Sequence, residues 1–551
     1  MKKALFFIFL AVFAFYGCEN SKKTANDKET ADDFSDDLSD DLSDDLSDDL
    51  SDEALAESEE NETTDDEIVE SYETVTISDG IIKGLAADGV ISYKGIPYAL
   101  PPVGDLRWKA PAKSEPWEGT LEAKDYSKAC PQSVPIAAGY IPPWDEDCLY
   151  LNVFRPFDPK LNDLPVMVFI HGGGYVNGAA SLATYEGEWL ASQGIVLVTI
   201  NYRLGQFGFL AVPDTEIVGN FGTMDQIAAL EWVKENISSF GGNSENVTIF
   251  GESAGGLSVG TMIALRPDLF KRAVIESATI TWGDAMKKED ADDQGTRYVE
   301  AAGCIDAENI EKCLKDMTAD EVLDTLESGI FDAQSESYGP HVDGELFIDV
   351  PYKMAIVGDG KKIPLIIGTN SDEGTAFTIA YQDYIKTEDQ YENLIKQQFG
   401  LIANQVLTEY PASAYDSPWH AYTDIFADLY FNCSSILMTR DFAKYNKNVR
   451  YYRFSKVPDY GASTGLGCFH GAELGYLFNT WAENYKKTEL GYQETVDNIS
   501  GLWIKFATDG TLDDWPVYDS EEKYLNISDT LVEEAQLEKK NCDFWSTWYK
   551  P

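Results

Sequence analysis

Two stretches constrain the fold most. "PVMVFI" at 165–170 and "GIVLVTI" at 194–200 are almost unbroken apolar runs rich in β-branched residues. A strand with one wet face alternates polar and apolar side chains, so runs of this kind mark strands buried on both faces. Such strands belong to parallel sheets whose crossovers are helices, and helical patterning intervenes. In "MDQIAALEWVKENISSF", Ile227, Leu230, Trp232, Val233 and Ile237 recur near helical spacing. Earlier, "TVTISDGIIKGLAADGVISYKGIPYALPPVG" at 74–104 breaks short β-rich runs with glycine and proline, as strands and turns do. Strand alternating with helix predicts the α/β class, with a mostly parallel or mixed central sheet flanked by helices. No composition break interrupts the chain from Val75 onward, so residues 74–551 read as one large domain.

The first 73 residues follow other rules. "MKKALFFIFLAVFAFYGC" places Lys2 and Lys3 before an apolar run that ends at Gly17 and Cys18. Residues 1–18 therefore read as an export signal, too short to span a membrane comfortably. A small residue followed by cysteine resembles a bacterial lipoprotein signal, which makes Cys18 the candidate lipidation site; a plain secretory signal is the alternative. Residues 19–73 carry 24 Asp and Glu against three Lys. Within them "SDDL" repeats every four residues, so on a helix its leucines drift by about 40° per repeat and form no steady apolar face. The expected state is a disordered, extended acidic tether. Calcium binding is the weaker alternative, since no ligand loop with its turn glycine is present. A net charge of −53 argues against nucleic acid and anionic membrane surfaces as partners, leaving the N-terminal lipid as the only expected membrane contact.

The chemistry concentrates at "NVTIFGESAGGLSVGTMIAL". A strand-like run ends near Phe250 and a helix-like run begins near Ala254, so Ser253 falls on the turn between them. Small residues two places to either side permit a turn tight enough to lift the hydroxyl out of the sheet, and the helix directs its positive end at it. A loop serine in a glycine-rich turn is the bland alternative. It weakens because His171, Gly172, Gly173 and Gly174 directly follow the apolar run at 165–170. Exposed backbone N–H groups there, from Gly173 and Gly174 together with Ala254, would form an oxyanion hole, each donor worth roughly 3 to 4 kcal/mol to a tetrahedral transition state.

A serine nucleophile needs a base, and the chain has only four histidines: His171, His341, His420 and His470. In hydrolases with this turn the order is serine, acid, histidine. His171 belongs to the glycine loop, His341 leaves little room for a preceding acid, and His420 in "DSPWHAYTDIF" reads as a surface or helix-start residue. His470, between glycines in "GLGCFHGAELGYLF", is the candidate base. For the acid, "IPLIIGTNSDEGTAF" ends a buried strand near Gly368 and offers Asp372 and Glu373 on the next loop, which the residues alone do not separate.

These motifs resemble the type-B carboxylesterases, the carboxylesterase and cholinesterase family of the α/β-hydrolase fold. The resemblance spans nearly all of residues 75–551 and includes "YKGIPYALPPVGDLRW", "EDCLYLNVFRP", "HGGGYVNG", "NYRLGQFGFL", "GESAGG", "GTNSDEGTAF" and "FHGAELGYLF". It implies Ser253 as nucleophile, Glu373 rather than Asp372 as acid and His470 as base, with no metal or organic cofactor. It further implies three disulfides, Cys130–Cys148, Cys304–Cys313 and Cys433–Cys542, leaving Cys468 as a buried thiol. Two departures stand out. The offset at which cholinesterases carry a choline-stacking tryptophan falls on Ala138, and Ser277 and Ala278 replace a usual Ser-Gly. The expected activity is cleavage of small carboxylic esters. A catalytically inactive surface adhesion protein, a lipase and a feruloyl-type esterase are the alternatives.

Overall fold

The two apolar runs lie side by side at the middle of a 13-stranded sheet in the computed structural model, which describes residues 71–549 apart from 137–139, 159, 281–285, 331–334, 483–485, 487 and 514. The expected export signal, Cys18, the acidic repeat and Ala138 lie outside the described residues. In chain order the strands are β1 (Ser71–Ile77), β2 (Gly80–Ala87), β3 (Val90–Pro97), β4 (Thr120–Glu122), β5 (Tyr150–Pro156), β6 (Leu164–Ile170), β7 (Val196–Ile200), β8 (Gly242–Glu252), β9 (Arg272–Glu276), β10 (Leu365–Asn370), β11 (Val449–Phe454), β12 (Lys523–Ile527) and β13 (Leu531–Ala535). Across the sheet they run β1-β2-β3-β5-β7-β6-β8-β9-β10-β11-β12-β13, with β4 beside β2. From β7 to β12 every neighbouring pair is parallel, whereas β1-β2-β3-β5-β7 and β12-β13 pair antiparallel, and the short β4 lies parallel to β2. This is the mixed α/β-hydrolase architecture.

The burial follows the sequence pattern. All five residues of β7 and of β9 and all six of β10 are buried. The edge strand β13, "LVEEA", is largely exposed and carries Glu533 and Glu534, charges that discourage a second sheet from adding there. Phe169, Phe250, Val274 and Ile366 of the central strands join one apolar cluster with Trp503 and Phe506 of the helix Tyr492–Asp509. Each such fully buried side chain contributes roughly 1.5 to 3 kcal/mol.

Strand order places the chemistry. Because β6 lies between β7 and β8, the connections leaving β6 and β7 cross in opposite senses, which makes the carboxyl ends of β6 and β8 the switch point at which sheets of this kind gather their functional groups. The glycine loop follows β6 and Ser253 follows β8; Glu373 follows β10 and His470 follows β11.

Candidate active site

Ser253 connects β8 directly to the helix Ala254–Leu265, with φ 56° and ψ −125°. A non-glycine residue held in that region costs about 1 to 3 kcal/mol, so the surroundings must fix it. They do so through the backbone. The Ser253 N–H donates to Glu276 O at 3.0 Å, and Ser253 O accepts from Leu257 N–H at 2.9 Å. The flanking glycines are explained by contact. A methyl on Gly255 would lie 1.9 Å from Ile170 O, and one on Gly256 would lie 2.7 Å from Ala278 Cβ. The helix thus starts hard against the ends of β6 and β9, with its first amides unpaired by the helix itself.

The glycine loop abuts this turn: a methyl on Gly172 would stand 3.1 Å from Ser253 Cβ. Gly173 and Gly174 take φ values of 106° and 60°, open to glycine alone at little cost. The Gly173 carbonyl accepts from Val176 and Asn177, both at 3.0 Å, which rolls the loop into a turn. Among the described residues the amides of Gly173, Gly174 and Ala254 donate no hydrogen bond. His171 is scaffold. Its ring stacks on Tyr202 at 4.5 Å, and burial pushes its pKa down to about 4, so it stays neutral.

The two candidate carboxylates, Asp372 and Glu373, differ in their contacts. Glu373 is fully buried, accepts from Asn370 N–H at 2.7 Å through Oε1, and lies 2.6 Å from His470 Nδ1 through Oε2. Asp372 instead accepts from Cys468 N–H at 2.8 Å. The other ring nitrogen, His470 Nε2, lies 3.0 Å from Glu252 Oε1, the residue preceding Ser253. That contact lacks hydrogen-bond alignment, and neither atom has another hydrogen-bond partner among the described residues. Phe377 and Phe431 pack on the ring at 5.0 and 4.6 Å. Phe431 rides on a single π-helical turn, Asp428–Asn432, between the helices Pro418–Ala427 and Cys433–Ala443.

Electrostatically the site is a nest of carboxylates. Burial opposes charge on His470, but Glu252 and Glu373 outweigh it and raise the pKa to about 9. Burial raises Glu252 to about 7, with His470 pulling the other way. Glu276, whose Oε1 accepts from Trp503 Nε1–H at 2.6 Å, rises to about 8, and burial pushes Glu473 well above the ordinary range. The motif reading did not single out these three glutamates or the two phenylalanines. Glu252 was visible as the residue between Gly251 and Ser253, but nothing local distinguishes Glu276 and Glu473 from surface residues.

Comparison with known proteins decides the family. The profile of the Carboxylesterase family matches residues 71–545. The para-nitrobenzyl esterase of Bacillus subtilis (strain 168) is 36% identical over 489 residues, covering 84% of this chain and 96% of that protein. The mouse (Mus musculus) cholinesterase is 32% identical over 515 residues (84% and 83%), and the fumonisin B1 esterase of Sphingopyxis macrogoltabida 32% over 466 (80% and 83%). The chain belongs to the carboxylesterase family. It is a carboxylic ester hydrolase.

His420, exposed, sits at the start of the helix Pro418–Ala427 with Nδ1 2.8 Å from Ser417 Oγ. His341 is buried with Nε2 3.0 Å from Val218 O. The disulfides Cys130–Cys148, Cys304–Cys313 and Cys433–Cys542 are all formed, and Cys468 is a buried free thiol. Among the described residues no group of three or more His, Cys, Asp or Glu is arranged to hold a metal ion.

Proposed function

We propose that this esterase works through an acyl-enzyme on Ser253, with His470 as general base, Glu373 as the acid behind it, and the amides of Gly173, Gly174 and Ala254 as the oxyanion hole. The observation that carries the reading is the 2.6 Å contact between Glu373 and His470 Nδ1, which leaves Nε2 on the side of the serine turn. With Nδ1 engaged by Glu373, Nε2 takes the Ser253 proton as Oγ attacks the ester carbonyl. The tetrahedral oxyanion is met by the three unpaired amides, preorganised donors each worth roughly 3 to 4 kcal/mol. The imidazolium then protonates the leaving alkoxide, and water activated by the same nitrogen releases the acid. The absence, among the described residues, of a hydrogen-bond partner on Nε2 fits a resting site whose serine–histidine bond forms when substrate binds.

The substrate class is a small carboxylic ester, and para-nitrobenzyl and p-nitrophenyl esters are the first substrates to try. Ser253→Ala is expected to lower turnover of a short-chain p-nitrophenyl ester at least about 10³-fold with the thermal transition unchanged, and to abolish labelling by a fluorophosphonate probe. Retained turnover would refute the nucleophile. An adhesion role has no support in the family match, since the triad candidates and glycine loop are all present.

A further inference from the structure

Asp372 stands next to Glu373 in the chain, and what its carboxylate holds is the loop that bears His470. Strands β10 and β11 are parallel neighbours, so the loops leaving them run side by side. Asp372 N–H donates to Cys468 O at 3.0 Å, and Cys468 N–H returns a bond to Asp372 Oδ2 at 2.8 Å. The Ser371 hydroxyl donates to the same Oδ2 at 2.8 Å. Gly467 takes φ 65°, and a methyl there would meet Asp372 Oδ2 at 2.6 Å, so the loop is shaped to admit this carboxylate. A second tie lies beside it: the Thr375 hydroxyl reaches Leu466 O at 2.7 Å and Asp372 O at 2.8 Å.

His470 is two residues beyond Cys468, on a loop that has travelled 16 residues from the end of β11 with only the short helix Asp459–Thr464 on the way. A histidine at the end of such an excursion keeps a 2.6 Å contact with Glu373 only if the loop is registered against the strand end that bears Glu373. We propose that Asp372 is a positioning residue: its carboxylate locks the 466–468 segment onto the 370–373 segment and so sets the Glu373–His470 geometry. This rests on the triad reading above. Misplacing a catalytic group by about 1 Å can cost about 10²-fold in rate, which a lost clamp can reach without any change in substrate contacts.

The test compares Asp372→Ala and Asp372→Asn with the parent, using the whole chain and rates per active site titrated by a fluorophosphonate. Asp372→Ala is expected to lower kcat about tenfold or more with KM within about twofold, and to move the acid limb of kcat/KM to lower pH as Glu373 loses its hold on the imidazolium. Asp372→Asn, which keeps an oxygen for the Cys468 amide, is expected to recover to within about threefold. Should the alanine variant fail to fold, Thr375→Val removes the second tie and is expected to move kcat and the acid limb in the same directions by a smaller amount. A kcat per titrated site within about twofold of the parent, with an unmoved limb, in the folded variants would overturn the clamp, because a merely structural role changes only the fraction of active protein. Ser253→Ala is assayed alongside: turnover there would instead bring down the triad reading on which the clamp depends.

Discussion

Glu252 and Glu373 approach His470 from its two nitrogens, and the two contacts differ in kind. Glu373 makes a short bond to Nδ1, while Glu252 stands at 3.0 Å from Nε2 without one. His470, raised from 6.5 to about 9, contributes stability that is full below pH 6.5 and is lost as pH rises through 9. Glu252, raised from 4.5 to about 7 by burial, favours the fold when protonated, and that contribution is lost as pH rises through 7. The proposed mechanism needs the opposite state of His470, a neutral imidazole, so on that mechanism stability and activity diverge with pH. Glu252→Gln removes the first of the charges that raise His470 while keeping the shape. The acid limb of its kcat/KM profile is expected at lower pH than the parent's, so that near pH 8, where Glu252 is charged in the parent, it keeps a few-fold larger share of its own plateau rate. A pH profile with a p-nitrophenyl ester checks this, and an unmoved limb would mean that Glu252 does not act on the base.

At the scale of elements, the strand–turn–helix around Ser253 depends on contacts that only glycine permits. Gly255→Ala would drive a methyl to 1.9 Å from Ile170 O, backbone that cannot swing aside. The helix must lift from β6, and a loss of about 3 kcal/mol is expected together with loss of activity, read by thermal melting and ester turnover. The same region shows what the sequence made legible. Central strands, the serine turn and the glycine loop were all readable, because double burial leaves continuous apolar runs and tight turns demand glycine. Strand ends were not. β8 runs to Glu252 rather than Phe250, and β10 to Asn370 rather than Gly368. Apolarity stops where the strands enter the polar site, but the ladder continues, with Glu252 paired in register to Glu276. The candidate base His470 was singled out by elimination among four histidines, by chain order and by the family resemblance, since no periodic pattern marks its loop. Glu276 and Glu473 were missed because a glutamate in sequence reads as exposed, and only the converging strand ends bury it.

For the molecule as a whole, the three cross-links bear on both stability and location. We propose that the chain is exported and held at a bacterial membrane by lipid on Cys18, with the acidic segment as spacer; Cys18→Ser is then expected to move the protein from the membrane to the soluble fraction. Three disulfides support the export half, since such bonds persist in oxidising compartments. Their contributions should differ, because a cross-link acts largely by removing freedom from the unfolded chain. Cys433–Cys542 closes a separation of 109 residues and Cys304–Cys313 one of 9, for which loop closure gives about 5 and about 2.6 kcal/mol. The long bridge also joins the helix Cys433–Ala443, which directly follows the π-helical turn that carries Phe431 to His470, to the C-terminal helix Lys539–Ser546. Replacing Cys433 and Cys542 by alanine is therefore expected to lower the melting temperature more than replacing Cys304 and Cys313, and to reduce turnover at temperatures where the shorter bridge's loss does not. Equal melting shifts with unchanged turnover would show that the 433–542 bridge constrains the C-terminus alone and leaves the aromatic wall of the base untouched.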